Sequence, residues 1–162
     1  MSRKKDFLST AIEIGAFLFI GYTISKYFRI GLTRGSSMLP TFKHNQPIFL
    51  DCKCYRRRKP RRHDVIAFKC TTHKRKIYLK RVIGLPSEKI HIEEGNVYIN
   101  DQILNEPYLK EPMKKSPKME ITVEAETLFV MGDNRNNSLD SRREAIGLIP
   151  IKDIIGVVKQ CK

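Results

Sequence analysis

The sequence predicts a mainly β fold, an antiparallel β-sheet or barrel-like domain carried by a single N-terminal transmembrane helix. Three observations lead to this prediction. One apolar run near the N-terminus has almost the length of a membrane-spanning helix. The rest of the 162 residues has little helical periodicity, and its apolar residues fall in short runs bounded by turn formers. We therefore expect a basic tail over residues 1–6, a transmembrane anchor over 7–28 and a β-rich domain over 29–162.

The predicted anchor depends on Phe7–Ile24, 18 residues that contain one charged side chain, Glu13. This length is close to what the hydrocarbon layer requires, and the helix can extend to Phe28 if Lys26 places its ammonium group at the interface. No small-x-small cleavage site follows the run, which favours an uncleaved anchor over a removable signal peptide. The alternative is an amphipathic or buried helix of a soluble protein. Basic residues flank both ends of the run, so counting them does not fix its orientation.

The predicted strands are short runs rich in β-branched and aromatic residues. They are Gln46–Leu50, Asp64–Lys69, Ile77–Ile83, Ile90–Ile92, Val97–Ile99, Gln102–Leu104, Leu128–Met131 and Ile154–Val158. The turn formers Glu94-Gly95-Asn96 predict a hairpin between two of these runs. Three prolines make residues 105–118 a loop.

The formal net charge of +14 implies an anionic partner: a phosphate backbone, an acidic protein or an anionic bilayer surface. The run Lys53–Arg62 concentrates this charge, with seven basic residues in ten. It could bind nucleic acid, lie along lipid headgroups or form a solvated loop between strands. Because the predicted anchor is close in sequence, lipid or solvent is favoured over nucleic acid.

The cysteines and histidines predict no metal site. Cys52 and Cys54 are separated by one residue, whereas a zinc knuckle needs two to four intervening residues and a second pair. Cys70 and Cys161 supply no such pair, so buried or idle thiols are the simpler interpretation, with a disulfide open if the domain is extracytoplasmic. No His-Glu-x-x-His arrangement occurs, which disfavours a metalloprotease.

Two stretches could carry chemistry. In Gly35–Thr41, a glycine precedes serines, and Pro40 stiffens the turn that presents a hydroxyl group. In the second stretch, Lys80 lies in a predicted half-buried strand. Loss of hydration would lower the pKa of its amine, which could then accept a proton from a serine hydroxyl. Each stretch alone is weak, since Gly-Ser-Ser also marks plain loops and a strand lysine is usually a surface charge.

Three motifs occur in order after the apolar run. They are Ser37-Met-Leu-Pro-Thr41, Lys80-Arg-Val-Ile-Gly-Leu-Pro86 and Gly132-Asp-Asn-Arg-Asn-Asn-Ser-Leu-Asp-Ser-Arg142. This set resembles the type I signal peptidases of peptidase family S26, particularly the short Gram-positive forms. The resemblance covers nearly the whole chain. It implies an extracytoplasmic serine endopeptidase with a Ser–Lys pair and no cofactor or metal.

Within this resemblance, Ser37 matches the nucleophile and Lys80 the general base, whereas Ser36 lies one position too early. Gly35 occupies the place where Gram-negative relatives carry a side-chain hydroxyl for the oxyanion. Backbone amides, including that of Ser37, would then be the main oxyanion donors. Ser138 matches the residue that hydrogen-bonds and orients the lysine.

Four further residues match supporting positions. Asp133 and Asp140 match acidic residues that hold the last motif in place, with Arg81 and Arg142 as their expected ion-pair partners.

The resemblance also implies substrate pockets. Met38, Tyr78 and Leu79 match positions that line shallow apolar pockets for small residues, one and three places before the cut. The substrate would lie extended against a strand edge and bind through main-chain hydrogen bonds.

The chain departs from the Gram-positive pattern at two positions outside the Ser–Lys pair. His63 stands where glycine often precedes the aspartate, and Asn136 stands where aspartate is frequent. We expect activity to survive both.

The resemblance implies a single-pass protein of the plasma membrane, with a cytoplasmic N-terminus and an extracytoplasmic catalytic domain. Its expected partners are the signal peptides of secretory precursors and the phospholipid bilayer, with no nucleic acid, and it is expected to be a monomer. Three alternatives stay open: a mitochondrial inner-membrane protease subunit, a Ser-His-Asp triad, and a non-enzymatic membrane-tethered basic module that binds anionic lipid or nucleic acid. A self-cleaving repressor also uses a Ser–Lys pair, but it needs a DNA-reading helical domain ahead of the protease, where this sequence has an apolar run.

Overall fold

The structure is a computed structural model, and it describes residues 2–70, 76–114 and 118–159. Its first element is helix α1 (Ser2–Tyr27), and strand β1 begins at the next residue, Phe28. The sequence therefore forms a helix where the anchor was predicted. Measured by hydropathy, neither α1 nor another helix in the described residues combines the length and the apolarity needed to cross a membrane.

Eleven strands follow in the described residues. They are β1 (Phe28–Leu32), β2 (Pro47–Asp51), β3 (Val65–Lys69), β4 (Ile77–Gly84), β5 (Lys89–Glu93), β6 (Asn96–Ile99), β7 (Gln102–Ile103), β8 (Met119–Thr122), β9 (Thr127–Met131), β10 (Ile149–Pro150) and β11 (Ile154–Val158). A short helix, α2, spans Cys54–Arg57, and single 3₁₀ turns span Arg135–Asn137 and Ile151–Asp153.

The strands form two antiparallel sheets, so the predicted mainly β, antiparallel fold is confirmed. The larger sheet has the order β1-β2-β11-β3-β4-β9-β10, and the smaller has the order β7-β6-β5-β8. In the described part of the chain no pairing joins β1 to β10, so the larger sheet is open and not a closed barrel.

The prediction missed three strands. These strands are β1, β8 and β10. The predicted anchor ended at Phe28, the first residue of β1, and no strand was predicted over the rest of β1. β8 follows the proline-rich segment, and β10 is only two residues long. In the predicted loop 105–118, the described residues contain no helix or strand, and residues 115–117 lie outside the described part.

The core divides into three clusters that meet at β4. Val82 packs with Ile66 and Phe68 of β3, whereas Ile83 packs with the smaller sheet through Ile90. A third cluster, which includes Met38, Phe42 and Ala67, underlies the segment after β1. β4 is therefore buried for most of its length, and a polar side chain in its middle must lie in an apolar environment.

Candidate active site

Ser37 and Lys80 lie side by side although they are distant in sequence. Lys80 Nζ is 2.7 Å from Ser37 Oγ and 3.0 Å from the Leu79 carbonyl oxygen. Lys80 is only 2% exposed, because it sits in the middle of β4 opposite Ile66 of β3. A hydroxyl and an amine at hydrogen-bond distance can exchange a proton directly.

Burial lowers the pKa of Lys80 from its ordinary 10.5 to about 8. The carboxylates of Asp140 and Asp133 act in the opposite direction by stabilising the ammonium form, and Arg142 adds to the lowering. Desolvation is the largest of these effects. A neutral amine therefore becomes available near neutral to mildly alkaline pH, as a general base requires.

A tight turn after β1 presents Ser37. The Leu39 amide donates to the Ser36 carbonyl oxygen at 3.1 Å, and the Phe42 amide donates to the Met38 carbonyl oxygen at 2.9 Å. Gly35 enters this turn with a φ of +87°, a conformation that L side chains rarely adopt. Its amide donates to His44 Nδ1 at 3.0 Å. Gly35 therefore allows the backbone conformation that the turn needs, and its amide is already hydrogen-bonded to His44.

Gly132 brings the last motif against the Ser37 backbone. A β-carbon at position 132 would lie 2.6 Å from the Ser37 carbonyl oxygen and 2.2 Å from Ser138 Oγ. The Asn134 amide donates to the same Ser37 carbonyl at 3.0 Å. Only glycine leaves room for this approach, and it fixes the backbone of Ser37 relative to β9.

Two buried ion pairs fix the loop that follows β9. Arg81 donates two hydrogen bonds to Asp133, at 2.8 and 2.6 Å, and Thr41 of the Ser37 turn donates to the same carboxylate. Arg142 donates to both oxygens of Asp140, at 2.8 and 2.9 Å, and the Gly132 amide donates to that carboxylate at 2.9 Å. Arg81 thus pairs with Asp133, and Arg142 pairs with Asp140.

Asp140 remains a carboxylate despite its burial. Burial alone would raise its pKa, but the hydrogen bonds and charge of Arg142 outweigh this and lower it. Its negative charge therefore persists next to Lys80 at neutral pH.

The position of Ser138 requires a correction. Lys80 Nζ makes its hydrogen bonds to Ser37 and Leu79, and no hydrogen bond joins it to Ser138. Ser138 Oγ is buried against Gly132 without a hydrogen-bond partner among the described residues. The structure therefore shows no orienting contact from Ser138 to the lysine.

An apolar cleft of about 980 Å³ opens beside the pair. Met38, Tyr78 and Leu79 all line it, together with Ser37 and Lys80. Its floor continues into the core, because Met38 is buried among the third cluster. Along one side runs β1, the edge strand of the larger sheet. An extended peptide could therefore lie along a strand edge with its side chains in an apolar groove.

The sequence analysis missed several residues that touch the Ser37 turn. Asn134 Nδ2 donates to the Ser36 carbonyl oxygen at 3.2 Å, and Asn137 Nδ2 donates to Ser36 Oγ at 3.0 Å. Both asparagines lie in the quoted Gly132–Arg142 motif, so the signal was present. Their contacts could not be inferred, because nothing local in sequence shows that this motif packs on residue 36.

The basic run Lys53–Arg62 is partly neutralised within the fold. Three of its arginines form ion pairs: Arg57 with Asp51, Arg58 with Asp64, and Arg62 with Glu88. Arg56, Lys59 and Arg61 are exposed and available to solvent or to an anionic partner. The run is therefore less charged as a surface than its composition suggests.

The described residues contain no group of three or more His, Cys, Asp or Glu side chains that could hold a metal ion. Among the described cysteines, Cys52, Cys54 and Cys70, no disulfide bond is formed, and Cys161 lies outside the described part.

Comparison with known families gives a match over nearly the whole chain. Residues 5–161 match the family described as "Signal peptidase, peptidase S26". The match includes the Ser37 turn, strand β4 and the loop after β9.

Two curated relatives illustrate the range of similarity. The chain is 34% identical over 129 residues to the "Probable signal peptidase I-2" of Synechocystis sp., which covers 75% of this chain and 56% of that protein. It is 32% identical over 165 residues to "Signal peptidase I V" of Bacillus subtilis (strain 168), which covers 94% of this chain and 90% of that protein. The chain thus spans little more than half of the cyanobacterial relative and most of the Bacillus one.

A solved structure supports the fold. The crystal structure of a signal peptidase I from Enterococcus faecalis V583 superposes with a TM-score of 0.55 and 31% sequence identity. The superposition covers 63% of this chain and 98% of that one.

Proposed function

Because the chain belongs to the signal peptidase family, peptidase S26, we propose that it is a serine endopeptidase that removes N-terminal signal peptides from exported precursor proteins. The observation that carries this proposal is the 2.7 Å contact between Ser37 Oγ and the buried Nζ of Lys80. A buried lysine beside a serine hydroxyl has a clear chemical use, because its lowered pKa supplies a neutral base.

In the first half of the reaction, Ser37 Oγ attacks the carbonyl carbon of the scissile peptide bond while the neutral Lys80 amine accepts the hydroxyl proton. A C–O bond forms and the C–N bond breaks. The departing amine of the mature protein takes the proton from Lys80. The signal peptide remains as an ester on Ser37.

In the second half, a water molecule attacks the ester carbonyl and Lys80 accepts the water proton. The C–O bond to Ser37 breaks, and the proton returns to Ser37 Oγ. The signal peptide leaves with a new carboxyl group, which releases its remaining proton to solvent, and the neutral Lys80 amine is regenerated.

The tetrahedral intermediates carry an oxyanion, for which we assign the Ser37 amide as a donor. Among the described residues, no acceptor takes this amide proton. The Gly35 amide is bound to His44, so Gly35 would act by shaping the turn and leaving space beside it.

The proposed substrates are signal peptides that end in small residues such as alanine. Met38, Tyr78 and Leu79 line the apolar cleft next to Ser37, and β1 runs along it as the edge strand of the larger sheet in the described part of the chain. Main-chain hydrogen bonds would hold the peptide extended, with small side chains turned into the groove.

The bilayer is the proposed partner of α1. Apolar side chains of α1 lie exposed in consecutive positions, including Phe17, Leu18 and Phe19. Such a surface is costly in water and favourable in lipid. We propose a single-pass protein of the plasma membrane, monomeric, with the N-terminus cytoplasmic and the catalytic domain on the outer side. A secreted reporter fused after residue 162 would be active only if this orientation is right.

The alternative, a non-enzymatic basic module that binds anionic lipid or nucleic acid, is not favoured. It does not account for a buried lysine beside a serine, and ion pairs within the fold take up part of the charge of Lys53–Arg62.

The test uses the purified full chain in detergent and a precursor whose signal ends in Ala-x-Ala. Ser37→Ala and Lys80→Ala should each lower cleavage at least about 1,000-fold. Ser36→Ala is the matched control and should retain at least a tenth of the parent activity, since its hydroxyl contacts Asn137 and not Lys80. If the Ser37 and Lys80 variants cleave like the parent, the mechanism is wrong.

A further inference from the structure

A cluster of buried polar side chains lies outside the Ser37–Lys80 site and joins the segment between β7 and β8 to the loop after β9. Arg135 Nη1 donates to Glu106 Oε2 at 2.7 Å, and Arg135 Nη2 donates to Glu106 Oε1. Tyr108 OH donates to Glu106 Oε1 at 2.6 Å. The side chains of Arg135 and Glu106 are only 1% and 9% exposed. A buried bidentate pair of this kind fixes the relative position of the two segments.

The Tyr108 ring reaches the catalytic strand. Its centroid lies 4.1 Å from the guanidinium carbon of Arg81, a cation–π distance. Arg81 follows Lys80 in β4 and holds Asp133 with two hydrogen bonds. Tyr108 therefore supports one face of the guanidinium that ties β4 to the loop.

Arg135 connects Glu106 to the loop after β9. It belongs to the 3₁₀ turn Arg135–Asn137, and its Nε donates to the Gly132 carbonyl oxygen at 3.2 Å. Asn134, which directly precedes the turn, donates its amide to the Ser37 carbonyl oxygen, and Asn137, within the turn, donates to Ser36 Oγ. Glu106 therefore anchors the turn that grips the nucleophile segment.

We propose that Glu106 and Tyr108 are positioning residues that set the distance between Ser37 and Lys80, one through Arg135 and the other through Arg81. This inference rests on the proposed peptidase function. Neither residue lines the cleft beside Ser37, so the substrate-binding surface does not depend on them directly. Their loss should thus lower kcat and leave KM nearly unchanged, because a shift of about 1 Å in reacting groups can cost about 100-fold in rate.

Glu106→Gln keeps the side-chain volume but leaves Arg135 without its counter-charge. In full-chain protein cleaving an Ala-x-Ala precursor, kcat should fall about 10- to 100-fold at a temperature where the variant is fully folded. KM should stay within about threefold. The matched control is Glu88→Gln, since Glu88 forms a similar bidentate pair with Arg62 away from the catalytic loop. It should lower thermal stability but keep the parent kcat.

Tyr108 provides an independent variant if Glu106→Gln does not fold. Tyr108→Phe keeps the ring on Arg81 and should keep kcat within about threefold, whereas Tyr108→Leu removes the aromatic face and should lower kcat about tenfold at unchanged KM. The proposal is overturned if Glu106→Gln and Tyr108→Leu keep the parent kcat, or if Glu106→Gln and Glu88→Gln lose kcat equally and in proportion to their unfolded fraction. An inactive parent would instead refute the proposed function.

Discussion

Gly132 lies so close to Ser37 that a β-carbon on it would stand 2.6 Å from the Ser37 carbonyl oxygen. The loop after β9 and the turn after β1 are therefore in backbone contact. This contact requires the absence of a side chain.

Gly132→Ala should consequently push Ser37 away from Lys80. We expect at least about a 100-fold loss of kcat, because the alanine cannot be accommodated without a backbone shift, and a loss of about 1–3 kcal/mol in the free energy of unfolding. Peptide cleavage and urea unfolding measure the two effects. Gly15→Ala, where a β-carbon meets nothing within 4 Å, is the control and should change neither much. A fully active Gly132→Ala enzyme would show that the backbone contact is unnecessary.

The pH dependence of kcat/KM should report the Lys80 amine. Burial lowers its pKa to about 8, and only the neutral amine can accept the Ser37 proton. The rate should therefore rise tenfold per pH unit on the acid side and level off above pH 8. Single-turnover cleavage between pH 5.5 and 10 measures this profile. A rate that is independent of pH over this range would contradict Lys80 as the base.

Lys80→Met should make the protein inactive but more stable. Below pH 8, Lys80 is charged in both the folded and the unfolded state. Burying the charged amine then lowers the free energy of unfolding of the parent by its full amount. Between pH 8 and 10.5 the unfolded state holds a proton that the folded state has released, so the free energy of unfolding of the parent rises with pH. Lys80→Met should gain at most about 3 kcal/mol over the parent at pH 7, and this gain should shrink towards pH 10.5.

Urea unfolding of the parent and Lys80→Met at several pH values tests this. The exposed Lys152→Met is the control and should show no pH-dependent gain. An equal stability of parent and Lys80→Met at every pH would mean that the lysine carries no burial cost.

The Arg81–Asp133 pair should show strong coupling. Removing either charge alone leaves the other buried and unpaired, so Asp133→Leu should cost about 3–5 kcal/mol. The double variant Arg81→Met with Asp133→Leu should cost less than the sum of the single variants. A double-mutant cycle by chemical unfolding measures the difference, and additive losses would show that the two side chains act independently.

His63→Gly should be tolerated. His63 has a φ of +69°, a conformation that favours glycine, and its ring packs edge-on against Tyr108 at 5.5 Å. Relief of backbone strain and loss of the ring contact should nearly cancel, so stability should change by less than about 1 kcal/mol and kcat by less than threefold. His63→Ala, which keeps the strain and loses the ring, should be the less stable variant in thermal unfolding.

Much of the fold could be predicted because strand periodicity and turn residues are local signals. β11 was predicted with its observed bounds, and β2 and β3 were predicted to within one residue. β1 was missed because it begins at the residue directly after α1 and no turn former separates the two elements. β8 was missed because four residues after a proline-rich segment form a strand only when β5 is present to pair with them.

The contacts of the candidate site likewise fall into those that the sequence motifs predict and those that depend on loop packing. The pairing of Arg81 with Asp133 could be expected from the motifs, and so could the meeting of Ser37 with Lys80. Sequence could not indicate the contacts of Glu106 and Tyr108, because they depend on how a loop with no regular structure packs. Ser138 shows the opposite failure, since the expected hydrogen bond to Lys80 is absent and the hydroxyl faces Gly132 instead.

The junction between α1 and β1 contains no spacer, since the helix ends at Tyr27 and the strand begins at Phe28. That strand is also a wall of the cleft, so the wall is joined directly to the helix. If α1 is seated in a bilayer as proposed, the cleft mouth stays at a fixed height above the lipid. The enzyme would then select its cleavage site by distance from the bilayer as well as by sequence. An identical Ala-x-Ala site moved along the precursor, nearer to or farther from the bilayer, would not be cut.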